Sequence, residues 1–273
     1  MAGHMISKYM GSLNKYQIIN LICDSSLYHH ENYVDVFNKE SLVDILYKYQ
    51  PDITINCVRL LIDESESQPY KAIYYNSFIP HYLSKIGKEM NMKIIQLSTD
   101  CVFSGKKGNY SESDYKDGEN LYARTKALGE LINDKDLTLR TSYIGPNINH
   151  ADEELFHWFM MQKGMINGYG NVFWTGLTTL ELAKSIEKAI ELNITGLYHL
   201  VPDTKISKYD LLTLMKKIWK RNDIIINRTE KIVKDKSLMD NRNLITVNDY
   251  ETMFYELYDW MNHHKELYSS YVS

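Results

Sequence analysis

Short runs dense in isoleucine, leucine and valine alternate, over the first half of the chain, with longer stretches whose apolar residues return every three to four positions. Residues 17–23 (Gln-Ile-Ile-Asn-Leu-Ile-Cys), 51–58 (Pro-Asp-Ile-Thr-Ile-Asn-Cys-Val), 93–98 (Lys-Ile-Ile-Gln-Leu-Ser) and 137–141 (Leu-Thr-Leu-Arg-Thr) read as strands. Residues 41–49 carry Leu42, Ile45 and Leu46 at helical spacing, and residues 70–90 and 121–132 also read as helices, the last with Ala127, Leu128 and Leu131 on its apolar side. Repeated β-α-β with short apolar strands predicts an α/β fold: a Rossmann-like, doubly wound parallel sheet covered by helices on both faces. In such a sheet the ligand lies at the C-terminal ends of the strands. After Gly145 the pattern loosens. A helix over 178–192, a strand over 196–200 and helices over 208–220 and 250–263 remain clear, with irregular stretches at 146–177 and 201–248.

A doubly wound nucleotide-binding domain ordinarily opens with a strand and a glycine-rich loop, so that backbone can approach a pyrophosphate resting on a helix N-terminus. This chain opens Met1-Ala2-Gly3-His4, with one glycine and no strand before it, although Met5, Ile6, Tyr9 and Met10 form the apolar stripe of the helix that should follow. Either Gly3 is the last glycine of the fingerprint, or the first four residues are a cloning scar and the native sequence starts near Met5. Both readings leave the first strand missing. Asp24 stands about 20 residues further on, where the fingerprint expects a ribose ligand. The expected organisation is a dinucleotide-binding domain over residues 1–145, onto which 178–192 and 196–200 pack back. A smaller C-terminal substrate lobe takes 146–177 and 201–248, and residues 249–273 form a terminal helix and tail.

Composition narrows the class. At 273 residues and 44% hydrophobic content the chain can bury a large core, and a net charge of −4 argues against a general nucleic-acid binder. No apolar stretch approaches a membrane span and no secretory h-region is visible, so a cytoplasmic setting is expected. Cys23, Cys57 and Cys101 sit in or just after apolar runs without metal spacing, and read as reduced thiols acting as small buried hydrophobes. His4, His157 and His199 show no ligand spacing either, and His199 reads as a strand residue; no metal is expected.

Candidate chemistry centres on Tyr122 and Lys126, four apart in Asn-Leu-Tyr-Ala-Arg-Thr-Lys and therefore on one helix face. An ammonium there would lower the phenol's pKa by favouring the phenolate. Ser98 and Thr99, at the end of a strand, could hold a substrate oxygen beside it. The set suits a general acid/base that moves a proton while another group moves a hydride. With 22 tyrosines in the chain, a surface helix bearing a solvated lysine is the plain alternative, and the strand-loop-helix order around the pair favours the catalytic reading.

Five segments then resemble, in order, the dTDP-4-dehydrorhamnose reductase family of the extended short-chain dehydrogenase/reductase superfamily. Residues 98–105, Ser-Thr-Asp-Cys-Val-Phe-Ser-Gly, are similar to its S-T-D-x-V-F-x-G; Tyr110, Glu112 and Asp114 to Y-x-E-x-D; and Asn120, Tyr122, Lys126, Gly129 and Glu130 to N-x-Y-x-x-x-K-x-x-G-E. Residues 140–142 resemble R-T-S, and residues 196–200 resemble G-x-Y-H-L. The resemblance implies a sugar-nucleotide reductase using NADPH or NADH in deoxysugar and polysaccharide biosynthesis. Its partner would be a nucleotide-diphosphate sugar, and a homodimer is one assembly it allows.

Carried over residue by residue, the resemblance makes Tyr122 the proton donor to a keto oxygen and gives Thr99 a hydrogen bond to that oxygen. Lys126 lowers the phenol's pKa and holds the nicotinamide ribose. Gly3, Asp24, Asp35, Val36, Asn56, Cys57, Val58, Asn76 and Ser98 fall at cofactor positions, with Asp24 favouring NADH by repelling a 2′-phosphate. Asp100, Val102, Phe103 and Trp174 fall on the substrate side. Trp174 reads equally as a stacking platform or a core residue, and Arg242 as a diphosphate partner or an exposed salt bridge. Asp100-Cys101 stands where a 4,6-dehydratase would carry Asp-Glu, which lowers that option. An epimerase remains open, as does a non-catalytic or regulatory member of the kind found in methionine adenosyltransferase. With most of the diphosphate cradle missing, weak dinucleotide binding is expected; titrating NADPH and following its fluorescence checks this, and micromolar affinity would refute it.

Overall fold

Four short runs of β-branched and leucine residues make the sheet on which everything else is hung. The computed structural model describes residues 1–23, 34–148 and 154–271. In chain order the elements are α1 (Ala2–Ser12), α2 (Lys39–Tyr49), β1 (Ile53–Asn56), α3 (Ile62–Ser67), α4 (Pro69–Ile73), α5 (Ile79–Glu89), β2 (Lys93–Leu97), α6 (Leu121–Leu128), β3 (Leu137–Arg140), β4 (Tyr143–Ile144) and α7 (Leu155–Met161). They continue with β5 (Gly164–Tyr169), β6 (Val172–Trp174), β7 (Leu177–Thr178), α8 (Thr179–Glu191), β8 (Gly196–His199), β9 (Ile206–Ser207), α9 (Lys208–Ile218), β10 (Ile224–Thr229), β11 (Lys234–Asp235), α10 (Tyr250–His263) and α11 (Lys265–Tyr268).

β1, β2, β3 and β8 lie side by side in that order, all parallel, with Ile95 opposite Ile55 on one side and Leu137 on the other. Side chains alternate across the sheet. Ile95, Leu97, Leu137 and Leu139 face the layer of α1 and α8, where Met5, Ile6, Ala183 and Ile186 close the main core. Ile94 faces the opposite layer, with Leu42 and Leu46 of α2 and Ile79, Leu83 and Ile86 of α5. Each fully buried Leu or Ile of these layers contributes about 1.5–3 kcal/mol over leaving it exposed. The sheet is therefore doubly wound, as the alternation predicts.

Several elements differ from the sequence reading. Residues 17–23 are not a strand: only a bridge at Ile22 and a hydrogen bond from Val34 N to Ile22 O (2.8 Å) mark them. Among the described residues the sheet ends at β1 on one side, so this segment has no neighbour to complete a ladder. Asp24 lies outside the described residues. The helix expected over 70–90 is broken into α4, one π turn over Tyr74–Phe78, and α5, and α3 precedes it unforeseen. The π turn, which inserts an extra residue into the helix, carries buried Asn76 and Ser77 to Thr125 of α6. The stretches read as irregular hold α7 and the small sheets β5–β10 and β11–β6–β9, and β7, at the end of the first stretch, pairs with β4 just before it.

α6 stops at Leu128, short of 132, for two reasons. A Cβ on Gly129 would overlap the Asn76 carbonyl, so the two backbones touch there. Glu130 then turns inward to Arg140, whose Nε donates to Oε1 at 2.9 Å and Nη2 to Oε2 at 2.8 Å. Both side chains are buried. Ser98 Oγ donates to Glu130 Oε1 at 2.7 Å and Lys116 Nζ to Oε2 at 3.0 Å. Arg140 Nη1 donates to His199 Nε2 at 2.8 Å; guanidinium nitrogens only donate, so His199 is neutral and its Nδ1–H donates to Met239 O at 2.9 Å. Burial, followed by the Arg140 charge, holds His199 down to about 4, in keeping with that tautomer. Burial alone would push Glu130 up, yet the Arg140 bonds and charge hold its carboxyl below the usual range.

Removing the carboxylate strands Arg140 in the interior. Glu130→Ala should therefore cost about 3–5 kcal/mol in urea unfolding; a loss below about 1 kcal/mol would show that the pair does not hold the fold.

Candidate active site

The C-terminal ends of β1, β2 and β3 open into one crevice with about 620 Å³ of free space, part of it solvent. Asn56, Cys57, Val58 and Arg59 line it from the end of β1, Ser98, Thr99 and Cys101 from the end of β2, and Thr141, Ser142 and Tyr143 from the end of β3. α6 adds Tyr122 and Lys126.

Local sequence sets these positions. Asn120 caps α6 by accepting from Ala123 N at 2.8 Å. One helical face then presents Tyr122 (6% exposed) and Lys126 (3% exposed) to the crevice. Asn56 Nδ2 donates to Gln96 Oε1 at 2.7 Å and its Oδ1 accepts from Val58 N at 3.1 Å, which fixes the turn after β1. Asn76 grips the next part of that turn, accepting from Leu60 N at 2.9 Å and donating to Thr125 Oγ1 at 3.2 Å.

The electrostatics correct one expectation. Lys126 Nζ donates to Leu97 O at 2.6 Å, and burial, with Arg59's charge second, pulls its pKa down to about 8. Tyr122's pKa moves up, not down: burial dominates and the Cys101 thiolate would add to it, while Arg59 and Thr99 act in the other direction. Arg59 is a cation that favours the phenolate. Arg59 donates to Tyr143 Oη at 2.9 Å and to Glu154 Oε1 at 2.7 Å, with its guanidinium 5.2 Å from the Tyr143 ring centroid. Tyr122 thus stays protonated at neutral pH, the form a proton donor needs. Thr99 Oγ1 also accepts from Cys101 N at 3.1 Å, so its side chain is held at the crevice floor.

Of the residues singled out in the sequence, Tyr122, Lys126, Thr99, Ser98, Asn56, Cys57 and Val58 come together here. Gly3 lies next to them, its α-carbon side facing Cys57. Others do not reach the crevice. Asn76 is buried behind it as a clamp between two segments. Val36 packs in the α2–α5 core, and Asp35 accepts from Phe37 N at 3.0 Å in a turn. Val102 and Phe103 are buried with Tyr110, Val201 and Leu238, Phe103 stacking on Tyr110 at 4.1 Å. Asp100 is buried beside Thr99, whose Oγ1 donates to Asp100 Oδ1 at 3.2 Å. Trp174 is in the main core, under Tyr250.

Arg242 is the clearest correction. Its Nη1 donates to Thr195 O and Leu197 O at 2.8 and 3.1 Å, at the N-terminal end of β8, the opposite end of the sheet from the crevice. Cys57 and Cys101, read from sequence as small buried hydrophobes, are partly buried on the crevice wall. Arg59, Cys101, Thr141, Ser142 and Tyr143 are crevice residues not chosen from sequence. Thr141 and Ser142 carried a usable signal, hydroxyls at the end of a parallel strand, as at Ser98 and Thr99. Arg59 carried none, because its burial depends on contacts with Tyr143 and Glu154.

The family model described as RmlD substrate binding domain matches residues 22–234. A dTDP-4-dehydrorhamnose reductase of Aggregatibacter actinomycetemcomitans is 25% identical over 263 residues, 92% of this chain and 83% of that protein. The crystal structure of a hypothetical dTDP-4-dehydrorhamnose reductase from Sulfolobus tokodaii superposes with a TM-score of 0.75 at 23% identity, over 90% of this chain and 92% of that one. The dTDP-4-dehydrorhamnose reductase of Bacillus anthracis, solved in complex with NADP, gives 0.77 at 16% identity, over 95% of both chains. At these identities the two structures share the fold.

Lys126 yields a pH prediction. The folded side chain releases its proton near pH 8, whereas the unfolded one holds it to the ordinary lysine range. Between the two the unfolded chain binds more protons, so this contribution to stability grows as pH rises through the window and is lost as pH falls to 8. Going from about pH 7 to about pH 9.5, urea melts of wild type and Lys126→Met should diverge in favour of wild type by about 1–2 kcal/mol. An unchanged difference would show that the ammonium is not perturbed.

Proposed function

The chain belongs to the RmlD substrate binding domain family, and on that premise we propose that it reduces the 4-keto group of a 6-deoxy sugar nucleotide, with NADPH or NADH as the reductant. One observation carries this reading: Tyr122, Lys126 and Thr99, read from sequence as an acid/base set, line a single crevice at the C-terminal end of a parallel sheet.

The residues present suit a dinucleotide. No side chain caps the N-terminus of α1 and no acidic residue occupies its first turn, so its free N–H groups suit a diphosphate. Gly3 packs against Cys57 on the crevice wall, which brings that helix end to the site. Asn56, Cys57, Val58, Ser98 and Lys126 would hold the nicotinamide half. When bound, the dinucleotide supplies a hydride to the keto carbon.

The chain's own residues do the rest. Thr99 offers its hydroxyl to the reacting oxygen, and Tyr122 gives up its phenolic proton to that oxygen as negative charge builds on it. A phenol kept neutral by burial is ready to act in this direction at physiological pH. Arg59 favours the phenolate that remains, and Lys126 would hold the nicotinamide ribose beside it. Residues 1–145 would carry the dinucleotide, and the lobe of 146–177 and 201–248 the sugar nucleotide. Among the described residues no helix is long and apolar enough to cross a membrane, and a cytoplasmic location is part of this reading.

Mixing the purified chain with dTDP-4-keto-6-deoxyhexose and NADPH should consume the reduced dinucleotide, followed by absorbance. Tyr122→Phe should slow turnover by about 10²–10⁴-fold. No consumption by the wild-type chain at saturating concentrations of both reactants would overturn the reading.

A further inference from the structure

Arg59 enters the crevice from a turn that two asparagines hold. Asn56 Oδ1 accepts from Val58 N and Asn76 Oδ1 from Leu60 N, so the backbone is fixed on either side of it. From there the guanidinium donates to Tyr143 Oη and to Glu154 Oε1. The ion pair is largely out of water, the side chains of Arg59 and Glu154 being 24% and 9% exposed. Glu154 lies 95 residues further along the chain, in the 146–177 stretch of the lobe.

Glu154 is the N-cap of α7, yet its side chain accepts no backbone N–H of that helix, as a capping side chain ordinarily does. The carboxylate turns to Arg59 instead. The helix behind it has anchors of its own. Phe156 and Phe159 are fully buried in the main core. His157 Nδ1 and Tyr271 Oη are 2.8 Å apart, and that hydroxyl donates to Asn147 O at 3.0 Å. The carboxylate therefore meets Arg59 from a fixed base.

The guanidinium held in this way acts on both members of the Tyr122–Lys126 pair. At Tyr122 burial and then Cys101 raise the phenol, with Tyr143 adding to the rise, while Arg59 and Thr99 oppose it. At Lys126 burial and then Arg59 lower the ammonium, against Glu130 and Cys57. The Met1 ammonium faces Arg59 and Glu154 as well. A phenol that lost this cation would be a weaker acid, and its phenolate less stable, at the moment a proton must leave it.

We propose that Glu154 is a positioning residue for the reduction, which by its ion pair holds the Arg59 guanidinium in the crevice beside Tyr122 and Lys126. The inference rests on the reductase reading for the reaction that it serves. It ties the seat of α7 to the charge at the phenol, so a change in the lobe reaches the proton donor through Arg59.

NADPH consumption with dTDP-4-keto-6-deoxyhexose tests it, using wild type, Glu154→Ala, Glu154→Gln, Arg59→Met and the double variant Arg59→Met/Glu154→Ala. Glu154→Ala should lower kcat at least about tenfold with little change in KM. Glu154→Gln, which keeps an acceptor for Arg59 Nη2, should recover most of the rate. Because Glu154 acts through Arg59, the double variant should be no slower than Arg59→Met. Wild-type kcat in Glu154→Ala, no recovery in Glu154→Gln, or a further loss in the double variant overturns the positioning role. The double variant leaves neither charge of the pair unmatched. If Glu154→Ala does not fold, the double variant against Arg59→Met therefore carries the comparison. If wild type does not turn over, the reductase reading fails by itself and the hold on Arg59 is still measurable. The titration of Lys126 near pH 8 is read from urea melts of each protein against its Lys126→Met counterpart. Its midpoint should move to higher pH in Glu154→Ala, since a loosened Arg59 no longer opposes the ammonium. An unmoved midpoint overturns the role of Glu154, whether or not the chain is a reductase.

Discussion

The buried pair of Arg140 and Glu130 is the constraint from which the site follows. Arg140 ends β3, and Glu130 sits two residues past α6, so their paired hydrogen bonds tie the catalytic helix to the centre of the sheet. Ser98, at the end of β2, and Lys116, from the long loop before α6, bond the same carboxylate, and His199 of β8 closes the far side. Two strand ends, a loop and a helix are thereby registered on one anion, and a third strand end joins them through Arg140. A carboxylate and a guanidinium taken this far from water are tolerable only when nearly every donor and acceptor is used, as they are here.

The second constraint is backbone contact. Gly129 leaves room for the π turn to approach the end of α6, and Asn76 and Ser77 then bond Thr125. Thr125 lies between Tyr122 and Lys126 in the helix, so holding it from behind points the other two into the crevice. The site's electrostatics are a consequence of this depth. Burial raises the phenol and lowers the ammonium, and both shifts keep the two groups neutral over a wider range of pH than in water. Arg59 supplies compensating positive charge.

Seen in the fold, the five motif segments take three roles. Thr99, Tyr122 and Lys126, with Thr141 and Ser142, face the crevice. Gly129, Glu130, Arg140 and His199 build the network beneath it. The Tyr110, Glu112 and Asp114 group holds loops together: Tyr110 Oη accepts from Gly105 N and Lys107 N, Glu112 from His199 N and Asn241, and Asp114 from Ser111 N. Phe103 and Trp174, which the resemblance put on the substrate side, fill cores, for Trp174 one of the two readings left open. A large aromatic looks the same in sequence whether it meets a ligand or a leucine.

Local pattern was enough to determine the alternation of strands and helices, the parallel sheet, and the helix face shared by Tyr122 and Lys126, because periodicity and capping act over a few residues. It also marked strand-end hydroxyls as site residues. It could not decide whether residues 17–23 would join a ladder, since a strand needs a neighbour that its own residues do not encode. Nor could it place Arg59 in the crevice, turn Arg242 to the opposite end of the sheet, or reverse the direction in which Tyr122 titrates. Those outcomes depend on burial and on charges brought near from distant parts of the chain. Desolvation and Coulomb energy are set by three-dimensional distance, which only the folded structure fixes.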